Sequence, residues 1–496
     1  MVEEKNLEDA SGETEENESK TGFCGCFCIP INWIKMLATE MHWTFVFGVV
    51  VVYGISQGLG GALNRVATEY YMKDVQKVQP SEAQVYGGIT FTPWIVKPIW
   101  GLLTDVLPMF GYRRRPYFVV AGCIGIISLL IISVHEKLHL ALAVLSLTAA
   151  SAGVAISDVT IDACVAENSI KHPSLAADIQ SLCASATAIG QLIGYFIAGI
   201  FVHLLGPKGV FGLLTIPAGL VFVVGMLLDE PQNTKFAYRQ VNQKFLDACK
   251  AMWTTMQCPE VWKPCLYMYL STALGLGIHE GMFYWYTDSK EGPSLSQESI
   301  GYMFSIGAAG SLLGAILYQN VLKDYPFRDL LFWTQLFFGL SGMLDLILVL
   351  RLNLKFGMSD YLFIVVDEIV HKFTGRLKWM PLLVLSSKLC PLSIAGTFFA
   401  LLMSIDNFGD LCSSWGGGFL LHQLKVSRTN FDGLWLAILI RNLLRISPLC
   451  LLFLIPRGDP NSSILPTEIL DMKEGPDTQG TGNVELVSLI NAKELK

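Results

Sequence analysis

Asp158 and Asp162 stand four residues apart in an apolar stretch, a spacing that puts both on one face of a helix. Two carboxylates confined to one poorly solvated face hinder each other's ionisation, which is what a proton-loading site requires. Lys97, in the middle of another apolar stretch, suits contact with an anionic ligand or pairing with Asp158 or Asp162, and the two roles are compatible. An ionisable group at the centre of a membrane helix costs about 3 kcal/mol on insertion scales, so each needs a partner, a wet cavity or a function. Gln191 and Glu280 add an amide and an acid, and Phe283, Tyr284, Trp285 and Tyr286 follow as an aromatic run that also suits an interfacial belt. Asp367 faces His371 and Glu368 faces Lys372 at i,i+4, with Arg376 a turn further. That face either lines an aqueous cavity or belongs to a solvated loop. Asp406, Asn407 and Asp410 form another polar face with Ser413 and Ser414, ahead of Gly416–Gly418.

These charges sit in an unusual background. Of 496 residues, 52% are hydrophobic and 16% charged, against about 25% charged in ordinary soluble proteins. Disorder of the bulk of the chain is excluded by the same numbers. A net charge of −7 leaves no basic footprint for nucleic acid. Twelve cysteines in so long a chain make no disulfide scaffold, and none has the paired spacing of a metal site. There is no G-x-x-x-x-G-K-[ST] to drive anything with ATP, and no nucleophile–base constellation, so neither an enzyme nor a cofactor is expected. What remains is an all-α integral membrane protein.

Spanning helices need about 20 mostly apolar residues. Six stretches qualify with essentially no charge: 43–64, 116–134, 138–157, 179–206, 209–228 and 299–322. Six more qualify if interior charges are allowed: 82–105, 262–287, 328–350, 360–387, 391–423 and 432–456. The expectation is therefore twelve transmembrane helices. An acidic tail (1–40) precedes the first six (41–228), a polar central loop (229–260) separates them from the second six (261–456), and a tail (457–496) follows. Glu3 to Glu18 hold eight acids, unlike a signal or transit peptide, and Cys24, Cys26 and Cys28 stand where lipidation or plain thiols are both reasonable. Arg113–Arg115 and the basic residues of the central loop carry most of a weak positive-inside bias, which places both termini in the cytosol.

Between the second and third spans, Gly101-x-x-x-Asp105 is followed by Gly111-x-Arg113-Arg114-Arg115. This resembles the signature loop of the major facilitator superfamily, a fold of two six-helix halves. Gly101 would allow close helix packing. Asp105 would face three guanidiniums, a lattice able to lock one access state, and the arginines would alternatively serve only as an anchor. The flanks are narrower. Pro93-Trp94-x-x-Lys97-Pro98, Gly111-Tyr-Arg-Arg-Arg-Pro-Tyr117, the span-four stretch Asp158 to Glu167, Met380-Pro381 through Cys390-Pro391, and Gly396 through Ser404 resemble the folate-biopterin transporter family over roughly residues 41–456. The resemblance implies a multi-pass carrier of folates or pterins, proton-coupled, in the plasma membrane or an endomembrane. Its partners would be a small-molecule substrate, protons and the lipid bilayer. In such a fold spans nine and twelve sit outside the cavity, so Asp345, Arg441 and Arg445 are expected to pair structurally or to snorkel. A carrier of another organic anion, or a transport-dead sensor or scaffold, stays open at this point.

Overall fold

In a lipid phase every backbone polar group must be satisfied internally, which leaves helices for a chain of this composition. The computed structural model, which describes residues 32–232, 241–390 and 395–457, is helical throughout, with no strand among the described residues. Cys24, Cys26 and Cys28, most of both tails, Lys235 and Arg239 lie outside the described residues, as does the side chain of Asp105.

Helix α1 spans Trp43–Val75, with a π-helical stretch at Val50–Gly60. It was expected to end at Asn64, yet it runs three turns further and carries Arg65 and Glu69 with it. The next span is built from α2 (Pro80–Thr90), α3 (Thr92–Ile95) and α4 (Lys97–Val106). Glu82 accepts from the Gln79 amide at 2.9 Å and starts α2, while Pro93 and Pro98 interrupt the run because proline lacks the helix donor. α5 (Arg115–Val134) and α6 (Leu140–Lys171) follow. α7 (Ala176–Leu227) contains both remaining apolar stretches of this half, broken at Gly206, whose φ of 69° is left-handed and precedes Pro207.

The second bundle begins after α8 (Val241–Met256). α9 (Pro259–Ala273) and α10 (His279–Tyr286) are one expected span broken at its centre, the discontinuity that transporter sites use to expose backbone groups. α11 (Gln297–Leu317), α12 (Phe327–Ser341), α13 (Met343–Val349), α14 (Asp360–Lys388), α15 (Ala395–Gln423) and α16 (Leu434–Ile446) complete it. Among the described residues, seven helices are each long and apolar enough to cross a membrane by length and composition.

Three large cores show how the bundles meet. One, around Phe118, Ile161 and Ile179, belongs to the first bundle alone, and another, around Tyr267, Leu331 and Phe398, to the second alone. The third joins them at one end, where Tyr70 meets Phe283 edge-on at 5.0 Å and Tyr284 donates to the Val78 carbonyl at 3.1 Å. Phe283, Tyr284 and Trp285 are thus buried between bundles and form no lipid-facing belt. At this end α7 and α11 also touch, with Ser305 Oγ donating to the Leu192 carbonyl at 2.9 Å. At the other end, apart from contacts of α3 and α4 with α15 and of α4 with α8, the two cores are separate.

Candidate functional site

Between the bundles lies a cavity of about 960 Å³. Its wall is apolar with polar side chains at intervals, the composition of a small-molecule site. The first bundle contributes Gln57, Arg65 and Glu69 from α1, Gln84 and Trp94 from the α2–α3 span, and Gln191 from α7. The second contributes Glu280 from α10, Glu368 and Lys372 from α14, and Asp410 from α15. Of the residues singled out above, Gln191, Glu280, Glu368, Lys372 and Asp410 therefore meet at one cavity. Arg376 and Asp406 are not on its wall: Arg376 stacks 4.8 Å over Trp379, and Asp406 accepts from Thr272 Oγ1 at 2.8 Å.

Charges on the wall are mostly paired. Arg65 Nε is 3.2 Å from Glu69 and its guanidinium lies 4.6 Å over Phe304. Lys372 sits 3.6 Å from Glu368 on the same helix face, as the i,i+4 spacing requires. Gln84 bridges the bundles: its carbonyl accepts from the Glu280 amide at 3.1 Å and its Nε2 donates to Ser414 at 2.9 Å. Asp345 and Arg441 do form an ion pair, at 2.6 Å. They were expected outside the cavity, but Asp345, Arg441 and Arg445 all line it. The break in the span before α10 brings Gly275 to Arg445, and α16 packs inward to meet it.

Lys97, Asp158 and Asp162 form a compact cluster next to the cavity and not on its wall. The Lys97 ammonium pairs with Asp158 and lies 3.5 Å from Asp162, so both carboxylates reach one cation. Gln57, which does line the cavity, donates to Asp158 at 2.6 Å, and the Tyr53 hydroxyl donates to Asp162. Tyr53 and Gln57, four apart on α1, thus match two acids four apart on α6. Sequence reasoning passed over both because α1 was read only as an uncharged span, although one amide in so apolar a run was a usable signal. Trp94 places its ring 5.4 Å from the Lys97 ammonium. The Pro93 break exposes the Trp94 carbonyl, which accepts from Asn407 of α15 at 3.1 Å.

The signature loop turns on Phe110 and Gly111, with φ of 55° and 82° between the paired residues Met109 and Tyr112. A second left-handed residue after Phe110 is what calls for glycine at Gly111. Gly101 is different. A Cβ there would lie 3.4 Å from Val159, ordinary contact, so helix packing does not demand its glycine. Arg114 donates to Thr104 at 3.0 Å and pairs with Glu167 at 3.1 Å, and Arg115 donates to the Gly225 and Met226 carbonyls. Glu230, from the central loop, takes the backbone N–H groups of Arg113, Arg114 and Arg115 at 2.6–3.1 Å, placing a carboxylate on the positive end of α5. Glu230→Ala should therefore lower stability by about 1–3 kcal/mol, read as a fall in Tm of the detergent-purified protein. An unchanged Tm would show that water replaces the carboxylate there.

A model of the BT1 family matches residues 57–468. The chain is 62% identical to "Probable folate-biopterin transporter 2" of Arabidopsis thaliana over 99% of each sequence. It is 31% identical to "Folate-biopterin transporter" of Synechocystis sp., covering 90% of this chain and 87% of that one. Among solved structures it superposes on a D-xylose-proton symporter with a TM-score of 0.57 at 14% identity, covering 86% of this chain and 98% of that chain. The nucleoside transporter NupG gives 0.60 at 12% identity, covering 83% and 97%. The fold is that of these transporters, and the chain belongs to the BT1 family, the family of the folate-biopterin transporters.

Proposed function

We propose that this protein carries folates or pterins across a membrane by alternating access, with twelve spans in two six-helix halves and coupling to protons. The observation that carries the reading is the position of the cavity. It lies between two bundles whose shared core closes one end, while at the other end each bundle keeps a core of its own. A pteridine needs flat apolar and aromatic surface with hydrogen-bonding groups at its edge. Trp94, Phe91, Phe283 and Phe304 supply the first on this wall, and Gln84, Gln191 and Glu280 the second. Proton loading is assigned to Asp158 and Asp162, whose shared cation and contact with the wall residue Gln57 link them to whatever fills the cavity. The termini are placed in the cytosol, and the membrane is the plasma membrane or an endomembrane.

The test is uptake by purified protein in liposomes, with and without an imposed pH gradient, across folates, pterins and unrelated anions. Accumulation of folate or pterin that collapses with the gradient is the expected result. Equal uptake of unrelated anions, or none of any compound, would reject the substrate assignment. Gating adds a second expectation. With Asp105 in a state-dependent lattice with Arg113, Arg114 and Arg115, Asp105→Asn should cut uptake about tenfold at wild-type abundance, a loss of the size one charged hydrogen bond carries. Wild-type uptake in that variant would leave the arginines as an anchor.

A further inference from the structure

The cations on the cavity wall are not equivalent. Arg65, Lys372 and Arg441 each have a carboxylate at 3.2, 3.6 and 2.6 Å. Arg445 has none at ion-pair distance among the described residues. Its Nε donates to the Gly275 carbonyl at 3.2 Å, its guanidinium lies 4.5 Å over the Phe338 ring, and its Nη1 has no acceptor. The residue is only 8% exposed, and it is part of the cavity wall.

A guanidinium does not escape burial by losing its proton, since arginine is not deprotonated in proteins. A carbonyl and a ring face orient it without neutralising it. Removing one partner from a buried ion pair is strongly destabilising because the other charge is left alone, and Arg445 stands in that condition within the fold. The nearest remedy is an anion delivered through the cavity. Asp345 does not serve, since it is held by Arg441, and Asp367 on the same wall stays out of ion-pair reach.

We propose that Arg445 is the anion anchor of this cavity, the donor that takes a carboxylate of the substrate. This rests on the carrier reading above and divides its substrates into two classes: pteridines bearing a carboxylate tail, which the anchor grips, and tail-less pteridines, which it does not. Lys97 is thereby relieved of the anion role, since Asp158 and Asp162 already satisfy it. Nη1 has no accessible area in this conformation, so the grip forms as the wall shifts around a ligand. The segment Arg445 already holds, the break between α9 and α10 at Gly275, is where the backbone is not locked in a helix.

Three probes in liposomes carrying the full chain test it: folate, biopterin, and p-aminobenzoylglutamate, which is the anionic half of folate without a pteridine. Arg445→Gln should raise the biopterin-to-folate ratio of kcat/KM about tenfold or more, through KM, and depress p-aminobenzoylglutamate in step with folate. Arg445→Lys, which keeps the charge but not the fork, should fall between, and it decides the matter where the glutamine variant does not fold. An equal loss for all three probes in monodisperse protein would make Arg445 structural and overturn the anchor, as would an unchanged ratio. Wild-type protein that moves biopterin but neither anion also overturns it while leaving the carrier reading intact. Arg445-dependent uptake of p-aminobenzoylglutamate without uptake of any pteridine would uphold the anchor and reject the pterin carrier.

Discussion

Asp162→Asn should abolish pH-gradient-driven accumulation of substrate in liposomes while leaving exchange down a substrate gradient measurable. An amide keeps the shape of the carboxylate and can still accept from the Tyr53 hydroxyl, but it cannot carry a proton. Asp158→Asn should behave alike if the two acids act as a coupled pair, because both lean on the one ammonium of Lys97. Lys97→Gln is the harsher change. It strands the buried Asp158 with only Gln57 as a donor, beside the half-exposed Asp162, and a buried charge left alone costs about 3–5 kcal/mol. Expression and Tm should both fall. A structural cluster and a proton site part company in the double variant. Lys97→Gln with Asp162→Asn removes one charge of each sign, so it should regain stability under either view, but proton-driven uptake only under the structural one. Restored accumulation in that double variant would withdraw the proton role from Asp162.

The other large effect is expected at Gly199, where the first bundle touches the second at the closed end. A Cβ built on Gly199 would sit 2.1 Å from the Gln297 carbonyl oxygen, and one on Gly301 would meet the Tyr195 carbonyl at 2.8 Å. No side chain fits between these backbones. Gly199→Leu should therefore hold α7 and α11 apart. Overpacking costs about 1–3 kcal/mol, which disfavours the closed arrangement by roughly fivefold to 140-fold, at 1.4 kcal/mol per factor of ten. The predicted outcome is uptake reduced by about that factor at normal abundance. Ser305→Cys offers the readout, since Ser305 is buried against α7 in the closed end. In the Gly199→Leu background, in a chain stripped of other reactive cysteines, a maleimide should label it faster. Unaltered labelling together with unaltered uptake would mean that the two helices never need to meet during transport.

Much of this molecule was written locally. The apolar composition and the run of 20-residue stretches require helices in lipid, and the i,i+4 spacing of Asp158 with Asp162 and of Glu368 with Lys372 announces a shared face in each case. Those statements hold because helical periodicity involves only neighbours along the chain. The P-W-x-x-K-P and G-Y-R-R-R-P-Y stretches carry family membership for a related reason: proline breaks and the Phe110–Gly111 turn are properties of short segments. What periodicity does not say is which face meets which. The first span ends at Asn64 by hydropathy, whereas packing against α7 carries Arg65 and Glu69 on into the cavity. Phe283 to Trp285 read as a lipid belt and turn out to close one end between bundles. Spans nine and twelve read as peripheral, yet the break before α10 lets Arg445 reach Gly275 and puts the Asp345–Arg441 pair on the wall. Tyr53 and Gln57 acquire their meaning only opposite Asp162 and Asp158, more than a hundred positions away. A helix face is fixed by residues three or four apart. Its partner is chosen by non-local packing, which leaves no period along the chain, and only the tertiary structure decides it.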